Sequence, residues 1–261
     1  MKRTPDIVVL SDLHLGTFGC HATELVNYLQ SIQPKKLILN GDIIDMWQFN
    51  KKYWPVEHFK VIEEILSMLL QGTKVYYLSG NHDELLRRFE RPKLGNLILD
   101  DKLILKLNGE TYWFFHGDVF DITMKNSKWL AKLGGKGYDL LIWFNRHINL
   151  ISERLGYGKI SLSKRIKNSV KKAVMFISDF ETTAAEIAIE QSYHVVVCGH
   201  IHQPVIKRIN TPKGTVQYMN SGDWVENLTA LEYENKKWRM FNYHRDYKAV
   251  EQLQMEFKEA V

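Results

Sequence analysis

The chain reads as an α/β protein, and three observations carry that reading. Short apolar runs rich in β-branched and aromatic residues alternate with helical patterns. Five of the runs end in strings bearing Asp, Asn and His. Alternating, turn-separated runs follow the fifth string. In order, residues 7–11 (IVVLS), 36–40 (KLILN) and 74–79 (KVYYLS) are predicted strands. Between them lie helical patterns over 22–32 and 61–70, the latter apolar at Val61, Ile62, Ile65, Leu66, Leu69 and Leu70. Strand–helix–strand alternation predicts βαβ units with right-handed crossovers. Residues 111–115 (TYWFF) and 194–198 (HVVVC) are two further strands. After them, 205–209, 216–220, 228–233 and 237–243 alternate as antiparallel strands, with turns at Thr211-Pro212-Lys213-Gly214 and Glu234-Asn235-Lys236. They are expected to close the sheet into a two-sheet sandwich. Residues 247–260 are a predicted terminal helix.

The strings are Asp12-Leu13-His14, Gly41-Asp42-Ile43-Ile44-Asp45, Gly80-Asn81-His82-Asp83, His116-Gly117-Asp118 and Gly199-His200-Ile201-His202. Each ends or follows an apolar run, so the strands are expected to deliver all five to one sheet edge. Ligands of such sheets gather there, beyond the strand carboxyl ends. A lone Asp-x-His is usually chance and an isolated Gly-Asn-His-Asp usually a turn. Five in order at strand ends point to a dinuclear metal centre and to metal-assisted hydrolysis of a phosphoester or phosphoanhydride.

Carboxylate, amide and imidazole donors together suit divalent ions such as Mn²⁺, Fe²⁺ or Zn²⁺, with Mn²⁺ the first choice. Asp12, His14 and His202 are expected to hold one ion and Asn81, His116 and His200 the other, with Asp42 bridging. Residues i and i+2 of an extended chain face the same way, which accounts for D-x-H and H-x-H. Two ions ~3.5–4 Å apart can share a hydroxide that attacks phosphorus in line. His82 follows a ligand and is expected to stabilise the transition state or protonate the leaving oxygen. Asp83 and Asp118 are expected to orient His82 or His116. Asp45 has two readings, a pin for the loop after the second strand or a partner for a ligand histidine. His21, His58, His147, His194 and His244 read as surface or structural groups.

The 261 residues allow one large α/β domain or two small ones, and 45% hydrophobic and 25% charged residues suit a globular protein; the single series of strings reads as one domain. Residues 122–191, broken by Gly134-Gly135-Lys136-Gly137 and Gly156-Tyr157-Gly158, read as a helical cap inserted between the fourth and fifth strings. The apolar run after Lys2 and Arg3 ends at Leu10, too short for a signal peptide, and no stretch approaches the ~20 apolar residues of a membrane span. Cys20 and Cys198 are the two cysteines, which suits a reducing compartment, and a cytoplasmic location is expected.

The five strings resemble those of the calcineurin-like metallophosphoesterase superfamily from about Val8 to Gly222. That resemblance implies a four-layer α/β/β/α sandwich and the dinuclear ligand set. A closer resemblance is to the UDP-2,3-diacylglucosamine hydrolases of lipid A synthesis. It rests on Asp12-Leu13-His14-Leu15, Gly41-Asp42-Ile43-Ile44-Asp45, His116-Gly117-Asp118, Gly199-His200-Ile201-His202-Gln203-Pro204 and a basic helical insertion. It implies cleavage of a UDP-sugar lipid at its pyrophosphate, to a lipid monophosphate and UMP. It also implies substrate contacts at Asn81, His82 and His200, and at Asn168 and Lys171, which match an Asn-x-x-Lys pair in the family's cap. One position departs: the family's well-known branch has Arg after the Asn of the third string, where this chain has His82.

Net charge is +5, yet residues 117–178 carry twelve Lys and Arg against four Asp and Glu, so the remainder sums to −3. Lys159, Lys164, Arg165, Lys167, Lys171 and Lys172 alternate with Ile160, Leu162, Ile166, Val170, Ala173 and Val174 at helical spacing. A basic amphipathic helix suits an anionic nucleotide-lipid or the surface of the inner membrane. The apolar runs 140–144 and 148–151 are expected to line an acyl-chain groove or dip into an interface. The bland alternative is an ordinary cap with solvated charges. A nucleotide or nucleic-acid phosphodiesterase is the rival enzyme, disfavoured because the charge sits on one apolar-rich insertion. A non-catalytic scaffold of the same fold is disfavoured because no ligand is missing.

Overall fold

The computed structural model describes residues 2–47, 53–89, 93–120 and 166–247, with side chains of 166–174 excepted. Two sheets stack face to face. The first takes β1 (Ile7–Leu10), β2 (Lys36–Asn40), β3 (Lys74–Leu78), β4 (Lys93–Leu94), β5 (Leu97–Asp100), β11 (Thr229–Glu234) and β12 (Lys237–Asn242). Their order is β12-β11-β1-β2-β3-β5-β4, with β1, β2, β3 and β5 parallel. The second takes β6 (Lys102–Leu107), β7 (Glu110–Phe115), β8 (Val195–Cys198), β9 (Val205–Thr211) and β10 (Gly214–Asn220), in the order β6-β7-β8-β10-β9. Strands β7, β8 and β10 run parallel.

Period-two alternation assigns the layers. Ile7, Val9, Ile38, Tyr76 and Leu78 meet Tyr112, Phe114, Val195, Val197 and Met219 in the core between the sheets. The opposite faces of β1, β2 and β3, with Val8, Leu10, Leu37, Leu39 and Val75, pack on helices α1 (Ala22–Gln30) and α2 (Val56–Leu70). Beyond the second sheet lies α3 (Ile166–Glu190), whose Phe180, Ala184, Ala185 and Ala188 cover Trp113, Phe115, Val196, Cys198 and Tyr218. The layers are therefore helix, sheet, sheet, helix. Among the described helices, none is long and apolar enough to cross a membrane.

Several expectations shift. The strings come from two sheets instead of one edge of a single sheet, because the chain crosses between sheets at Asp101, between β5 and β6. Strands β4, β5 and β6 had no counterpart in the sequence reading, since 93–107 is an apolar stretch between the third and fourth strings that carries no motif. Helix α2 begins a turn earlier than expected, behind Pro55, where a fixed φ suits a helix start. The expected cap over 122–191 is cut short at its C-terminal end. Residues Phe180 to Ala188 are core of the sandwich, because their apolar face is needed to cover the second sheet. Residues 121–165 of that cap, and 248–260 of the expected terminal helix, lie outside the described residues.

One buried ion pair ties the sheets together near their carboxyl ends. Arg87, in a 3₁₀ turn (Glu84–Arg88) after β3, donates from Nη1 and Nη2 to the two oxygens of Asp118, after β7, at 2.9 and 3.0 Å. It also bonds Ser79 O at 2.8 Å and Asp101 at 3.0 Å. Burial pushes the Asp118 pKa up, but the Arg87 charge outweighs it and holds the carboxyl below its ordinary value. The stabilisation is thus present above the ordinary carboxylate range and lost as pH falls through the depressed folded value. Arg87→Leu, which removes the guanidinium paired with buried Asp118, should destabilise the fold by about 3–5 kcal/mol in urea unfolding. A loss under about 1 kcal/mol would show the pair to be incidental.

Candidate metal centre

Backbone geometry aims the site. Asp12, His14, Asp42, His200 and His202 all have positive φ, at 54°, 50°, 55°, 67° and 51°. The left-handed region costs a non-glycine residue on the order of 1 kcal/mol and concentrates at functional sites. Bonds between loops hold these residues there. Asp12 N donates to Gly41 O at 3.0 Å, His14 N to Asp42 O at 3.0 Å, and Trp224 N to Asp12 O at 3.1 Å. Two glycines make room. A Cβ on Gly41, itself at φ 86°, would stand 2.3 Å from the His116 ring, and one on Gly80 would stand 2.6 Å from Asp42 N.

Two ligand groups result. Asp12, His14 and His202 bring one donor atom each within 4.8 Å of one another, as do Asp42, His116 and His200. The first group comes from the loops after β1 and β8, the second from those after β2, β7 and β8. Asn81, after β3, presents a buried Oδ1 with no hydrogen-bond partner, as an oxygen ligand would. A third triple, His14, Asp45 and His82, overlaps the first.

The donors fit divalent cations because acceptor faces acceptor. His116 Nδ1 lies 2.8 Å from Asn40 O, a carbonyl that can only accept, so Nδ1 carries the proton. The neutral ring then points the Nε2 lone pair at Asp42 Oδ2, 3.2 Å away. His202 Nε2 faces Asp12 Oδ1 at the same 3.2 Å. Both His116 Nε2 and Asp12 Oδ1 are buried without a hydrogen bond. Without a cation there, a second proton on the imidazole takes its place beside the carboxylates. Burial pushes the His116 pKa down, yet Asp42 and Asp12 pull it well above the usual histidine range. Burial pushes Asp42 up, yet His116, His82 and His14 hold it far below the carboxylate range. Asp12 is likewise lowered against its burial by His116 and His202. The pocket calls for positive charge between these atoms.

The remaining predicted residues separate by role. Asp45 fills both of its readings: Oδ2 lies 3.3 Å from His14 Nδ1 and 2.9 Å from His82 Nδ1, while Oδ1 accepts from Trp47 N at 3.1 Å. Burial lowers the His82 pKa, but Asp45 and Asp42 raise it above its ordinary value. Asp83, expected to orient His82 or His116, instead accepts from Gly80 N at 2.6 Å, Ile43 N at 2.9 Å and the Tyr77 hydroxyl at 2.7 Å. A buried carboxylate takes the nearest donors, and here these are loop amides, so Asp83 staples the second string to the third. Asp118 likewise turns to Arg87, while the Asn40 carbonyl takes the role at His116. Asn168 and Lys171 fall in α3, where their side chains lie outside the described residues. Sequence reasoning missed Asn40, Arg87 and Asp223. Asp223 had a signal, since Gly222-Asp223 follows the apolar strand β10 just as Gly41-Asp42 follows β2.

Comparison with known proteins agrees with this geometry. Residues 5–204 match the family described as calcineurin-like phosphoesterase, and the chain belongs to that family. It is 27% identical over 236 residues to the UDP-2,3-diacylglucosamine hydrolase of Aliivibrio fischeri, covering 88% of this chain and 95% of the relative. It is 24% identical to the protein of that name from Blochmanniella pennsylvanica, covering 88% and 92%. For the one from Pseudomonas entomophila the identity is 23%, covering 90% and 97%. The chain is a metal-dependent phosphoesterase, a hydrolase.

The ligand geometry predicts that purified protein carries two divalent ions per chain. Chelator dialysis or Asp42→Ala should lower turnover of a phosphodiester by at least about 10³-fold, read with elemental analysis. Full activity after the ions are removed would contradict the assignment.

Proposed function

We propose that this phosphoesterase hydrolyses UDP-2,3-diacylglucosamine at its pyrophosphate, releasing UMP and the monophosphate of the diacylated sugar. The observation that carries this reading is the extent of the relatives' match. It runs through nearly the whole of both chains, including the span between the fourth and fifth strings, where substrates of one fold are told apart.

Asp12, His14 and His202 would hold one ion and Asn81, His116 and His200 the other, with Asp42 between the two groups. The ions are taken to be Mn²⁺, with Fe²⁺ or Zn²⁺ as competitors for this mixed oxygen and imidazole set. The ions supply Lewis-acid stabilisation of phosphoryl oxygens and activation of water. The protein supplies the rest. Asp45 holds His82 by Nδ1, and the other ring nitrogen stands 4.0 Å from Asp42 Oδ2, inside the site. Its pKa raised by Asp45 and Asp42, His82 is favoured in the form that carries a second proton. It donates that proton to the oxygen on which charge builds as the lipid phosphate departs. The position that is Arg in the better-known branch thus becomes a titratable donor. Trp47 lies against the His82 ring, with centroids 4.6 Å apart, and screens one side of it from water.

Substrate grip falls to the basic segment around Asn168 and Lys171, which also offers a peripheral contact to the cytoplasmic face of the inner membrane. Two assays test the reading. Detergent-dispersed UDP-2,3-diacylglucosamine should be cleaved at least about 10²-fold faster than bis-p-nitrophenyl phosphate or single-stranded DNA. Equal rates would identify a general phosphodiesterase. Replacing Lys164, Arg165, Lys167 and Lys171 with Gln should weaken binding to anionic liposomes at low salt, with little change at high salt. Unchanged binding at low salt would make the segment an ordinary solvated cap.

A further inference from the structure

A sixth strand end lies against the metal centre. Strand β10 runs parallel to β8 and is followed by Ser221, Gly222 and Asp223, with a turn continuing to Asn227. This segment is bound to the loops on both sides of it. The hydroxyls of Ser11 and Ser221 are 2.7 Å apart, Ser11 Oγ donates to Gly222 O at 2.9 Å, and Trp224 N donates to Asp12 O. Asp223 is fully buried, and its Oδ1 accepts from the amides of Val225 at 2.8 Å, Glu226, and Asn227 at 3.2 Å. Its other oxygen accepts from Asn227 Nδ2 and faces His202 Nδ1 at 3.8 Å. The same Asn227 amide donates to His202 O at 3.0 Å.

His202 is thus held from behind at two points, its carbonyl by Asn227 and its ring by the Asp223 charge, while Nε2 faces Asp12. We propose that Asp223, with Asn227, is a positioning residue for one ion alone, the one assigned to Asp12, His14 and His202. At 3.8 Å the carboxylate acts through its charge instead of through a formed hydrogen bond. A negative charge behind Nδ1 favours the tautomer with the proton there and makes Nε2 a better donor to a cation. The other group has a different arrangement, since His116 leans on the neutral Asn40 carbonyl. The groups behind these two rings therefore differ, the Asp223 carboxylate behind His202 Nδ1 and the Asn40 carbonyl behind His116 Nδ1. The inference rests on the dinuclear reading of the site.

The test is stepwise removal of Mn²⁺ from the loaded enzyme by a chelator, counting retained ions by elemental analysis and electron paramagnetic resonance. Wild type should release two ions. In Asp223→Asn, which keeps an oxygen for the turn amides, one ion should leave at about 10–100-fold lower chelator and the other should be unchanged. Asn227→Ala should weaken the same ion several-fold, and it carries the test if Asp223→Asn proves insoluble. In a His202→Ala background, Asp223→Asn should cost nothing further. Equal weakening of both ions, or of neither, would overturn the proposal while leaving the dinuclear centre intact. A wild type that holds fewer than two ions would overturn the dinuclear reading and this inference with it.

Discussion

Asp12 and Asp42 are buried carboxylates that each face an imidazole Nε2 at 3.2 Å. Such an array of acceptors is unfavourable in a dry interior unless positive charge lies among them. Much of the surrounding architecture follows from holding it together. The ligands come from strand ends of two sheets, so the sheets must stack with their parallel strands ending on the same side. The loops must then turn abruptly, which places five ligand residues in left-handed backbone and leaves no room for a Cβ at Gly41 or Gly80. Individually those conformations cost stability. The cross-loop amide bonds and the buried apolar layers beneath them offset that cost.

Around the ligands, the buried acids divide the work. Asp45 fixes rings, reaching both His14 and His82. Asp83 fixes backbone, gathering two amides and a hydroxyl. Asp118 fixes the sheets, paired with Arg87 across the two strand ends. None of the three needs to touch substrate for the site to depend on it. Asp45 and Asp42 also raise the His82 pKa against its burial.

How far the sequence spoke differs between parts of the molecule. Strands β1, β2, β3, β7 and β8 were legible because each is a compact apolar run ending in a motif. The residues of both ligand groups were legible through the i, i+2 spacing and the strand-end position. The division between two sheets was not, because periodicity reports a strand's faces and not its neighbours. Asp83 and Asp118 read as partners of the histidines because sequence adjacency is silent about which donors a buried carboxylate meets. Their real partners, Tyr77 for one and Arg87 for the other, come from other turns of the chain. The inner part of the expected cap was misplaced because an amphipathic helix looks the same whether it covers a site or a sheet. Phe180 and the three alanines show that it covers the sheet.

The two ligand groups at this strand-end edge are built to hold two cations. Anomalous diffraction from crystals of the Mn²⁺-loaded enzyme, collected at the manganese edge, tests it most directly. Two peaks of comparable height are expected, one between Asp12, His14 and His202 and the other between Asp42, Asn81, His116 and His200. A single peak, or density centred on His14, Asp45 and His82 instead, would contradict it.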